Sequence, residues 1–179
     1  MIRPNSNTEL CISISSNPGN FGNNFHPFVD GLPGVPVHDL VIHPRENDLI
    51  VGTHGRSVYI ANISSLQNLN DEILNKKLHI FEIESLNYSS RWGTQSWNGI
   101  VIEPSIDIVL YSKFDSKINL VISKGDNELI KKSFSITKGL NFINNNLFID
   151  SENKYLDKGE YTVKIGNLDS TSETKFIIK

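Results

Sequence analysis

The sequence predicts an all-β protein built in two parts. Three observations carry that expectation. Strand-length runs rich in Val, Ile, Phe and Tyr recur along the 179 residues, each bounded by Gly, Asn, Ser or Pro. Alanine, the strongest helix former, occurs once, at Ala61, whereas Ile, Asn and Ser abound. Helical periodicity is confined to residues 64–75.

Taken in order, residues 8–15 (TELCISIS) set Leu10, Ile12 and Ile14 against Cys11, Ser13 and Ser15, the alternation of a half-buried strand. The turn formers SSNPGNFGNN follow, then an aromatic-rich run over residues 25–29, which together predict a long-looped hairpin. Runs over residues 35–42, 48–53 and 57–63 are joined by His43-Pro44-Arg45-Glu46-Asn47 and His54-Gly55-Arg56. They predict a three-stranded antiparallel meander, which buries too little to stand alone. Leu66, Leu69, Ile73 and Leu74 then share one face of a short helix, capped by Ser64 or Ser65. Asp71 and Glu72 fall in the later half of that helix, a poor match to its dipole.

Residues 78–83 alternate like a strand, and residues 84–100 form a Ser/Gly/Asn-rich linker holding Trp92 and Trp97. Beyond Pro104 come runs over residues 106–111, 117–123, 128–136, 140–148, 159–165 and 174–178. Six or seven short strands without a helix predict an immunoglobulin-like β-sandwich for this part. The expected divisions are residues 1–65, 66–103 and 104–179.

Composition narrows the function classes. Apolar residues make up 38% of the chain and charged residues 21%, enough to bury a core. A net charge of −3 and a pI near 5.9 give no electrostatic case for nucleic acid or an anionic membrane. No apolar run approaches the ~18–20 residues that span a bilayer, and the opening MIRPNSN is polar, without an apolar signal core. Cys11 has no second cysteine to pair with.

Two stretches resemble known families. Ser15-x-Asn17-x-Gly19 and Asn20-x-Gly22-x-x-Phe25 resemble the two halves of a sialidase-type Asp-box, offset by three residues as if split by an insertion. The segment GLPGVPVHDLVIHPRENDLIVGTHGRSVYI resembles the closing blade of bacterial BNR-repeat, sortilin-like β-propellers, and with the box the likeness spans about residues 8–65. That resemblance implies about one and a half blades, where a propeller needs at least four. The expectation is therefore a C-terminal piece of a longer protein, with further blades upstream of Met1. It also implies a secreted, periplasmic or cell-surface location. In the second part, INLVISKGDNELI, GLNFINNNLFI and DKGEYTVKIGN are similar to the flagellar-hook-capping type of Ig-like module, a spacer, adhesion element or cap. That module's middle-strand Trp is replaced here by Leu147 or Phe148.

Candidate chemistry centres on His38, Asp39, His43, Arg45, Glu46, Asp48, His54 and Arg56. At ~3.3 Å per residue His38 and His43 stand roughly 16 Å apart along a strand and cannot share one metal. His54, at the second turn, is positioned to approach His38 or Asp39. The favoured reading is structural: Gly52 and Gly55, with Thr53 and His54 between them, allow tight backbone. His54 and Arg56 hydrogen-bond neighbouring carbonyls or a carboxylate such as Asp39, and a buried Arg56–Asp39 pair fixes register. No metal and no cofactor are expected. No catalytic residue is assigned: the four arginines are scattered, and no pair of carboxylates presents itself for glycosidase chemistry. The GxSxG, P-loop and dinucleotide patterns are absent.

Trp92 and Trp97 are either a stacking platform for a sugar ring or apolar pins for the linker, the second being favoured. The function expected is non-catalytic protein or glycan binding with an Ig-like spacer. The alternative is the C-terminal portion of a sialidase-like propeller hydrolase whose catalytic residues lie upstream.

Overall fold

The computed structural model describes residues 34–179 and one strand pair before them, β1 (Ser13–Ile14) and β2 (His26–Pro27). These two pair antiparallel, Ser13 opposite Pro27 and Ile14 opposite His26, where the first hairpin is expected. The split Asp-box lies outside the described residues. The protein is mostly β, with several antiparallel sheets, and it divides into two compact units between Asn70 and Asp71.

The first unit contains the expected meander: β3 (Val37–Ile42), β4 (Asp48–Thr53) and β5 (Val58–Asn62), in the order β3-β4-β5. Alternation along β4 sets its faces. Leu49 and Val51 point to one side, where they are buried with Ile63 against Val37, Leu40, Tyr59 and Leu66. On the other side Val41, Ile50 and Ile60 stand directly opposite one another across the three strands. Val41 is 49% exposed and Ile60 65%.

The single helix expected over residues 64–75 is two short helices, α1 (Ser64–Gln67) and α2 (Asp71–Asn75). The physical reason is the charge placement that made one helix a poor match. The break puts Asp71 and Glu72 in the first turn of α2, where the dipole favours carboxylates. The Ser64 hydroxyl does not cap α1; the Ser64 N–H donates instead to Asn62 Oδ1 at 3.1 Å.

The second unit holds two sheets. One runs β10 (Gly139–Asn146), β7 (Ser105–Ser112), β6 (Leu78–Ile80); the other runs β14 (Thr171–Ile178), β13 (Gly159–Gly166), β8 (Ser116–Lys124), β9 (Asn127–Ile136). A further small pair is β11 (Phe148–Ile149) with β12 (Lys154–Tyr155). Inward residues of both sheets share one core: Ile106, Ile108 and Leu110 from β7, Leu120 and Ile122 from β8, Val163 and Ile165 from β13. The expected run over residues 140–148 breaks before β11, because the Leu147 N–H turns to the Pro104 carbonyl at 3.0 Å.

Local chemistry agrees with the turns. Gly125 takes φ 57° in the two-residue loop between Lys124 and Asn127, a conformation glycine reaches without cost. After β6, Leu86 bridges Ile178 in parallel. Leu86 N–H donates to Ile177 O, Lys179 N–H to Leu86 O and Tyr88 N–H to Lys179 O, each at 2.9 Å. The chain therefore lends β6 to the edge of one sheet and residues 86–88 to the edge of the other.

Candidate functional site

The polar turn of the first unit is organised by a one-residue irregularity. Val37 lies opposite Thr53 and Asp39 opposite Gly52, so His38 is an extra residue, a β-bulge in β3. A bulge re-aims the side chain it carries, and here it turns His38 toward the β4–β5 connection. That connection is held tightly. His54 N–H donates to Pro36 O at 2.9 Å, and the Thr53 hydroxyl donates to Ser57 O at 2.6 Å. Gly55 (φ 73°) and Ser57 (φ 86°) both adopt left-handed backbone to close it.

The consequence is a close pair of imidazoles. His38 Nε2 and His54 Nδ1 are 2.9 Å apart, with ring centroids 4.9 Å apart and planes inclined at 47°. Both residues are exposed. Of the two approaches open to His54, the structure makes the one to His38.

Other expectations for this turn are corrected. No ion pair joins Arg56 to Asp39, and both are exposed rather than buried. Asp39 Oδ1 accepts from the Leu40 N–H at 2.8 Å, so the carboxylate is spent locally at the bulge. Gly52 does not supply special backbone: its φ is not positive, and a Cβ there would meet Asp39 Cβ at an ordinary 3.7 Å. His43 lies in the β3–β4 connection, where its Nδ1 accepts from the Glu46 N–H at 3.2 Å. Among the described residues no group of three or more His, Cys, Asp or Glu side chains is placed to hold a metal ion.

In the second unit the two tryptophans part company. Trp92 is half-buried against the core and meets Tyr88 edge-on, centroids 5.0 Å apart, as a pin for the linker. Trp97 is 97% exposed. It sits at the tip of a small hairpin in which Ser96 N–H donates to Ile100 O at 2.8 Å and Gly99 closes the turn at φ 80°. Ile100 and Val101 beside it are also exposed, so an apolar tip stands out on a polar stalk. A single platform built from both rings is not formed.

Within DKGEYTVKIGN one structural role emerges only in the fold. Tyr161, at the start of β13, is buried, stacks on Phe176 and donates its hydroxyl to Asp157 O at 2.8 Å. Burial, helped by the Asp157 carboxylate, holds its phenol above the usual range. The signal was present as a Tyr four residues after an Asp in DKGEY, just before an alternating strand.

The sequence matches no family model, and no curated protein matches it. Among the described residues no helix is long and apolar enough to cross a membrane.

Proposed function

We propose that this chain is a non-catalytic binding and assembly element: the last blade of a sortilin-like propeller followed by an immunoglobulin-like spacer. The observation that carries the reading is the second face of the meander, where Val41 and Ile60 stand exposed. Val41, Ile50 and Ile60 in register form an apolar stripe of the kind a monomer covers with a neighbouring layer. Further blades of a ring would supply that layer.

Three features support the Ig-like assignment of the second unit. Its sheets hold three and four strands around one core. Residues 78–88 switch from the edge of one sheet to the other. The Tyr161 hydroxyl bonds backbone four residues upstream, as in the tyrosine corner of such sandwiches. The partner in this reading is a protein or a glycan, met outside the cytoplasm, and the exposed Trp97 tip offers it an aromatic face.

The test uses the chain alone. By sedimentation velocity it self-associates, and Val41→Lys with Ile60→Lys returns it to a monomer. A monomeric parent chain with a cooperative melt would overturn the reading.

A further inference from the structure

We infer that His38 and His54 form a two-imidazole site for a divalent transition cation of tetragonal preference, Ni²⁺ or Cu²⁺. The site is independent of the propeller reading, since it depends only on the bulge and the turn. Two ring nitrogens bound at right angles to one cation, each at roughly 2.0–2.1 Å, stand about 2.9 Å apart; tetrahedral binding spreads them to about 3.3 Å. The separation between His38 Nε2 and His54 Nδ1 is 2.9 Å. Imidazole pairs completed by oxygen ligands suit square-planar or octahedral ions, and affinity rises from Ni²⁺ to Cu²⁺. Both rings are exposed, and among the described residues no third protein ligand converges on them, so water fills the remaining positions.

Preorganisation comes from the backbone. The bulge aims one ring, the His54 N–H bond to Pro36 O anchors the other, and the left-handed turn at Gly55 and Ser57 fixes the distance between them. In the free protein one imidazole donates its ring N–H to the other. A cation takes the place of that proton in the gap. The displaced proton moves to the far nitrogen of the same ring, a change of tautomer, so a neutral pair binds without net proton release. Each ring then turns its lone pair onto the ion.

The test is titration of the full chain with Ni²⁺ alone, followed by imidazole NMR signals and by calorimetry. The expected result is one Ni²⁺ per chain, with the His38 and His54 signals perturbed first and those of His43 and His79 following only at higher metal. His38→Gln and His54→Gln each weaken binding by ~10-fold or more, because the second arm of a chelate acts at high effective concentration. His43→Gln leaves it unchanged. The assignment is overturned if Ni²⁺ leaves the His38 and His54 signals unmoved in the parent chain. It is equally overturned if both single variants bind Ni²⁺ as tightly as the parent.

Discussion

The two units are written in the same vocabulary, short antiparallel strands rich in Ile and Val, yet they use it differently. In the second unit apolar residues of two sheets face one another, and Ile108, Leu110, Leu120, Ile122, Val163 and Ile165 are 0% exposed. In the first unit only Leu49, Val51 and Ile63 are buried among the described residues, and on the opposite face of the same sheet Val41 and Ile60 stand exposed. Strand pattern alone therefore does not say whether a sheet is finished. A strand that alternates apolar and polar residues needs one partner layer, whereas β4 of the meander, apolar on both faces through Leu49, Ile50 and Val51, asks for two.

That contrast can be broken at three points. The largest effect is expected for Leu120→Ala, at the centre of the shared core. Loss of the side chain and the cavity left behind cost about 2–5 kcal/mol, read from the midpoint of chemical unfolding. A cost under about 1 kcal/mol would mean the two sheets are not tightly packed. Far less is expected for Ile60→Thr on the open face of the meander, within about 0.5 kcal/mol when measured at dilution. A cost comparable with that of Leu120→Ala would show the face to be covered within this chain.

The smallest effect concerns His79 of β6, whose imidazole meets Phe81 edge-on at 4.9 Å. Burial, with Lys76 adding to it, lowers its pKa below the ordinary 6.5. The folded protein then resists protonation that the unfolded chain accepts. Stability is full above about pH 6.5 and falls as the pH drops from there through the depressed folded value. His79→Gln is expected to flatten the stability profile in that window while leaving it unchanged near pH 8. An unaltered slope would place the titration elsewhere.

Much of this architecture was legible because it is local. Alternation located the strands of the meander and of the second unit to within a few residues, and Gly-containing pairs marked turns such as the one at Gly125. What escaped depends on non-local pairing. Nothing in residues 84–88 announces that Leu86 will lie parallel to Ile178, since a strand's partner is chosen by the folded core. The His38–His54 contact was open to one of two outcomes, because a single bulged residue decides which way His38 faces. Likewise Trp92 and Trp97 sit in the same Ser/Gly/Asn-rich stretch, and only the hairpin that carries Trp97 at its tip sets it apart from Trp92 against the core. The broken helix is the instructive case. Periodicity joined residues 64–75, while the carboxylates of Asp71 and Glu72 already argued for a second beginning.

The strand switch at residues 78–88 has a mechanical side. Residues 86–88 run parallel to the final strand and are bonded to Ile177 and Lys179. Tension entering the second unit near Asp71 and leaving at Lys179 pulls these two segments along their length in opposite senses. The three hydrogen bonds between them are loaded in shear and share the force, whereas a hairpin pulled open at one end loses its bonds one by one. On the side of Asp71 the pull also meets β6, paired to β7, so the clasp and that pairing both resist it. The last strand of the second unit is thereby held to residues 86–88 by bonds that must fail together rather than in turn.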